Sequence, residues 1–190
     1  MKKLLILGLI VLLNIFSTNI ATAEEFKTPS DLQIHMRKNF TYHEDVIVRD
    51  YFDYFQLPQI LEFTRVGDCD DFALYSWYYL TEMGYQAIPF VFWGTSYEGE
   101  KYGHAITVFL DDDGTYSIFS NTLLFKTKQT NPLDAILDVF KTWDVIAIWT
   151  PTKFGLVHYE EFEKDIKVIL IKNKIKKEAL PNETRNLSSR

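Results

Sequence analysis

The sequence is poor in cysteine, in positive charge and in long apolar runs, and each shortage excludes something. Only one cysteine, Cys69, occurs in 190 residues, so no internal disulfide can staple the chain. Twenty basic residues stand against 26 acidic ones, for a formal net charge of -6. That balance leaves no basic face for phosphate contacts and argues against nucleic acid as a partner. No apolar stretch reaches the roughly 20 residues that a membrane-spanning helix needs. The candidate run, Leu4 to Phe16, is shorter and carries Asn14. Internal repeats and low-complexity segments are absent as well.

What is present points to a folded domain. Hydrophobic residues make up 47% of the chain and aromatic residues 16%, enough for a real core without covalent help. The N-terminus reads Lys2-Lys3, an apolar segment, then Ala21-Thr22-Ala23, the charged, apolar and small-residue pattern of a secretory leader. We therefore expect residues 1–23 to be a signal peptide, 24–177 a single domain and 178–190 a polar tail. The mature protein is expected to be exported, periplasmic or secreted, with no membrane span once the leader is removed. No cysteine closely follows the leader, so no lipid anchor is expected there.

Along the chain, Thr28-Pro29-Ser30-Asp31 reads as a helix start. Residues 41–64 read as short helices and loops broken at Pro58. The clearest helix runs from Cys69 to Met83, where Cys69, Phe72, Ala73, Ser76, Tyr79, Leu80 and Met83 form one stripe. Asp68 can cap it, and Gly84 is placed to end it. Ile88 to Trp93 reads as a strand. His104–Leu110 and Thr115–Asn121 read as a hairpin turning at Asp111-Asp112-Asp113-Gly114. Asn131-Pro132 opens a short helix, and strands are expected at Val145–Trp149 and Val168–Ile171. Helices followed by strands predict an α+β domain, with helices on one side of an antiparallel sheet.

An odd thiol in an exported chain is a liability unless buried or used. At the first turn of its helix, Cys69 would gain from free N–H groups and the helix dipole, which favour the thiolate. Asp68, Asp70 and Asp71 oppose this, so a base must stand near. His104, at the start of an apolar strand, is the best candidate. His35 and His43 fall in the helical N-terminal part, and His158 in a polar stretch. A Cys–His pair needs a third group to orient the ring. A four-residue or two-residue turn puts Asn121 on the face of His104, whereas an odd-length loop puts Ser120 there. The backbone N–H of Cys69 would supply one oxyanion donor, with Gln56, Gln59 and Trp77 as candidates for the second. Asp68 and Asp70 read either as helix-capping charge or as ligands of a hard cation such as calcium. Lys167, Lys172, Lys174, Lys176 and Lys177 read as a solvated basic stretch.

The string Gly67-Asp68-Cys69-Asp70-Asp71-Phe72-Ala73, with a helix ending at Met83-Gly84-Tyr85, resembles the nucleophile segment of transglutaminase-like cysteine peptidases. Leu57-Pro58-Gln59-Ile60-Leu61 upstream and Gly103-His104-Ala105 downstream fit in the same order, over roughly residues 28 to 150. The resemblance implies a papain-like core, with the nucleophile at the N-terminus of a helix packed on an antiparallel sheet. It further implies a thioester mechanism on a protein or peptide substrate, with Cys69 as nucleophile and His104 as base and acid. No cofactor is required by it. The family's aspartate is replaced: Phe119-Ser120-Asn121 stands in its place, so Asn121 by face parity, or Ser120 by strand ending, fills the third position. Hydrolysis, acyl transfer to an amine, and a catalytically silent binding module are the readings this leaves.

Overall fold

The computed structural model describes residues 26–45, 53–95, 99 and 101–171; the leader-like segment 1–23, the tail 178–190 and the lysines between 172 and 177 lie outside the described residues. Helix α1 (Pro29–Asn39) starts where expected. Thr28 and Asp31 form a reciprocal capping box that satisfies two otherwise unpaired amides. Leu32 and Met36, one turn apart, are both fully buried against the core. Strand β1 (Thr41–Tyr42) follows, and then β2 (Asp53–Phe55) and α2 (Pro58–Thr64). Pro58 begins α2 rather than breaking a helix, because its fixed φ and missing N–H suit the first helical position.

Strand β3 (Val66–Gly67) pairs parallel with β1 and delivers the chain to α3 (Cys69–Glu82). Asp68 is its N-cap, and its side chain accepts from the Asp70 amide at 3.3 Å. Asp71 closes the capping box, and its carboxylate also accepts from the Gln56 backbone at 2.7 Å and the Gln56 side chain at 2.6 Å. The turn thereby ties α3 to the segment before α2. Gly67 is required here by space. A Cβ at that position would meet Asp71 Oδ2 at 2.6 Å and Leu61 Cδ1 at 2.9 Å.

Six strands then form one antiparallel sheet: β4 (Ala87–Thr95), β5 (Lys101–Leu110), β6 (Tyr116–Ser120), β7 (Leu123–Lys126), β8 (Val145–Trp149) and β10 (Ile166–Ile171), in the order β10-β8-β4-β5-β6-β7. The small strand β9 (Gly155–Val157) pairs with β2 outside it. Side chains alternate across the sheet as strand geometry demands. One face carries Val91, Ala105, Ala147 and Trp149 against Ala73 and Leu74 of α3, and Phe109 and Phe119 against Phe72 and Tyr75. The other carries Phe90, Phe92, Ile106, Val108, Ile118 and Ile146 against Ala135 and Ile136. Those two belong to α4 (Pro132–Val139), capped by Asn131 as its sequence predicts. The sheet is thus covered on both faces, not one. The short helix α5 (Tyr159–Asp165) and strand β7 have no counterpart in the sequence reading. Among the described residues no helix is long and apolar enough to cross a membrane.

The close contact at Gly67 gives a direct test. Gly67→Ala should destabilise the fold by about 1–3 kcal/mol through overpacking against Asp71 and Leu61, read as a lower midpoint in urea denaturation. The exposed Gly84, with open space around it, keeps its C-cap role through a positive φ of 90° instead.

Candidate functional site

Cys69 occupies the first position of α3, so its own amide has no partner within the helix. Pairing between β5 and β6 begins at Ile106↔Ser120, which leaves the amide of Ala105 without a β6 neighbour. The Cys69 sulfur takes that place, and the Ala105 N–H and the Cys69 N–H both favour its anion. They are outweighed. Burial first, then the charge of Asp68, pushes the thiol up to about 12.

His104 precedes Ala105 and faces the other side of the sheet. Its ring stands edge-on to Phe92, at 5.4 Å between centroids, and lies 6.0 Å from Phe140. Its Nε2 is 2.8 Å from Ser120 Oγ. Burial lowers its pKa to about 4, so at neutral pH the imidazole is uncharged. No hydrogen bond joins the Cys69 thiol to this ring. A thiol and an imidazole that are both neutral at rest replace the poised thiolate expected from sequence.

The partner of His104 is Ser120, not Asn121, and the hairpin explains why. Leu110 pairs with Tyr116, Asp111 N–H donates to Thr115 at 2.8 Å, and Gly114 adopts a φ of 82°. This is a three-residue loop, Asp112-Asp113-Gly114, with glycine in the left-handed position that such loops use. An odd loop shifts the register by one and turns Ser120 to the face of His104. Asn121 instead starts the tight turn from β6 to β7, where Ser120 pairs with Leu123. Its φ is 49° and its Oδ1 is buried without a partner. The missing signal was β7: without it, Asn121 reads as the last residue of a strand.

The candidate oxyanion donors separate clearly. Gln56 is buried and fully committed. Its side-chain N–H groups go to Val66 O and Asp71, and its Oε1 accepts from Thr64. Gln59 lies exposed on α2, and Trp77 is two turns into α3. The Cys69 amide is the donor that the local geometry favours. The remaining histidines are elsewhere: His35 on α1 pairs with Glu62 at 2.8 Å, His43 follows β1 rather than lying in a helix, and His158 precedes α5.

Around the sulfur the chain gathers carboxyls. Asp68, Cys69 and Asp70 bring ligand atoms within 4.8 Å of one another, and so do Asp45, Asp53 and Asp68. Among the described residues no lysine or arginine forms an ion pair with any of these aspartates. Burial raises Asp53 to about 6 and Asp71 to about 7, and raises Asp70 well above the carboxylate range, with Asp53 and Asp68 adding to it. Asp53 and Asp70 stand close enough that each alters the other's hold on its proton. Asp70 Oδ1 and Asp45 Oδ2 are buried with no partner. Oxygen donors crowded without positive charge, two of them orphaned, fit a hard cation such as calcium. Asp45 and Asp53 join Asp68 and Asp70 as the residues that would hold it. Their distance in sequence from Cys69 hid them.

No protein-family model and no curated protein sequence matches the chain. Among solved structures it is similar to LapG of Legionella pneumophila, at 17% identity over 72% of this chain and 70% of that one, with a TM-score of 0.43. The EGTA-treated form of that protein gives 14% over 72% and 74%, with a TM-score of 0.42. Its calcium-bound form gives 16% over 70% and 75%, with a TM-score of 0.41. These are distant likenesses.

Two measurements check the site. Asn121→Gly should leave the His104–Ser120 contact intact, whereas Ser120→Ala should change the ring's tautomer balance in a nitrogen-detected NMR spectrum. The second concerns pH. The unfolded chain takes up a proton on this histidine near pH 6.5, and the folded chain does so only near pH 4. Its contribution to stability is therefore complete above pH 6.5 and disappears as pH falls towards 4, a total of about 3 kcal/mol. Asp53 and Asp71 act with the opposite sign, losing stability as pH rises through 6 to 7. The difference between wild type and His104→Gln in urea denaturation from pH 4 to 7 isolates the histidine.

Proposed function

We propose that the protein is an exported thiol hydrolase of the transglutaminase-like type. It cleaves a peptide or amide bond through Cys69, with His104 as proton carrier and Ser120 as the residue that orients its ring. The observation carrying this reading is the convergence at one end of the sheet. The sulfur lies against the Ala105 amide, and the preceding residue is a histidine whose Nε2 is already held by Ser120. Export rests on the leader-like Lys2 to Ala23 segment.

With Nε2 engaged by Ser120, Nδ1 is the nitrogen left to receive the thiol proton, a step that requires the ring to turn from its own face of the sheet towards the sulfur. Because the thiol is raised and the imidazole lowered, proton transfer accompanies attack on the carbonyl instead of preceding it. The tetrahedral oxygen anion is met by the free amide of Cys69 at the helix N-terminus. His104 then returns the proton to the leaving amine, and water resolves the thioester by the same route reversed. Ser120 orients the ring but adds no negative charge to hold the imidazolium, so the site is weaker than one with aspartate there. A calcium ion on Asp45, Asp53, Asp68 and Asp70 would supply the positive charge that these carboxyls lack.

The missing thiol–imidazole hydrogen bond and the uncharged Ser120 favour one rival, a binding module that keeps the fold without the chemistry. A peptide library incubated with wild type and with Cys69→Ala, in calcium and in chelator, separates the two by mass spectrometry. Products formed by wild type alone support the hydrolase; identical spectra for both proteins support the silent module. In the active case Ser120→Asp should raise the rate and move the acid limb of the pH profile upward, by stabilising the imidazolium. For the cation, the thermal midpoint should rise in calcium over chelator, and Asp53→Asn should remove that rise. In chelator, Asp70→Asn should melt higher than wild type by roughly 2–8 °C, since it relieves carboxyl crowding worth about 1–2 kcal/mol.

A further inference from the structure

We propose that Asp68, Cys69 and Asp70 form a second cation site, containing sulfur, which takes a thiophilic divalent ion such as zinc and so blocks the thiol. Three features carry it. The ligand atoms of these three residues lie within 4.8 Å of one another, near enough for one ion to draw them together. Asp70 is only 6% exposed, and its Oδ1 is buried with no partner, so an oxygen is already desolvated and unused at this point. The sulfur is the chain's single thiol, with no second cysteine to divert it into a disulfide.

Ligand chemistry separates this site from the oxygen cluster beside it. Calcium takes oxygen donors only, which suits Asp45, Asp53 and Asp68. A thiolate with two carboxylates suits zinc, and three protein ligands leave a fourth position to water. Asp68 belongs to both sets. With Asp70 also within reach of the hard cation, the two ions compete for shared carboxylates, and occupancy by the soft ion weakens the hard one. On binding, the S–H bond breaks, a metal–sulfur bond forms and the proton passes to solvent; nothing is oxidised or reduced. The binding stands whether or not Cys69 is a nucleophile. Only its inhibitory consequence rests on the hydrolase reading.

Cobalt(II) reports the site directly, because a thiolate ligand gives a near-ultraviolet charge-transfer band that carboxylates do not. The full chain, kept reduced with a phosphine, is titrated with cobalt chloride and then with zinc chloride. A saturable band that zinc displaces, that is absent in Cys69→Ser and that needs about tenfold more cobalt in Asp70→Asn supports the site. Asp53→Asn, which touches the oxygen set alone, should keep the band, and excess calcium should raise the cobalt concentration required. Absence of the band in wild type overturns the proposal. So does a band equally strong in Asp68→Asn and Asp70→Asn, which would mark an isolated thiol binding metal by itself. Neither result depends on peptide cleavage, so failure here is distinct from failure of the hydrolase.

Discussion

The structure around Cys69 is governed by acidic groups held out of water, with no lysine or arginine ion-paired to them among the described residues. Asp68 and Asp71 are there to start α3: one caps the helix and the other closes the box and fastens it to Gln56. Asp70 follows them into the buried first turn, and the fold brings Asp53 and Asp45 against them from a different part of the chain. Burial first, and then crowding of this kind, raises Asp45, Asp53, Asp70 and Asp71 and raises the neighbouring thiol with them. A helix N-terminus would by itself favour a thiolate; here burial, and then the charge of the capping Asp68, cancel the advantage.

The sheet sets the second constraint. Because β5 alternates, Ala105, Thr107 and Phe109 face α3 while His104, Ile106 and Val108 face α4. Cys69 and His104 consequently belong to opposite layers, linked only through the Ala105 backbone at the end of the sheet, where β6 stops. Ala105 is small enough to let α3 approach closely, and Thr107 anchors the helix by donating to the Ala73 carbonyl at 2.7 Å. The ring is held on its own side by Phe92, Phe140 and Ser120.

Much of this was legible from local signals. Capping residues at Thr28, Asp68 and Asn131 marked three helix starts, and apolar runs marked five of the six sheet strands in order. The nucleophile position and the histidine strand followed from the same patterns. What escaped was set by longer-range facts. The register of one hairpin hinged on Gly114 taking a left-handed conformation in a three-residue loop, which sequence parity alone leaves open. Strand β7 is short and half exposed, so its pattern is weak, and with it went the role of Asn121. The contribution of Asp45 and Asp53 came from tertiary contact, which no spacing encodes. The second covered face depended on where α4 returns after β7, and the residues of α4 do not declare that.

The ending of β6 at Ser120 has a geometric corollary. Both broad surfaces of the sheet are occupied by helices, so a bound chain has no flat bed to lie on. On the hydrolase reading it would arrive at the rim, where the sulfur stands against the Ala105 amide of β5. The same short strand that leaves this amide to the sulfur therefore sets the side from which a substrate would have to come.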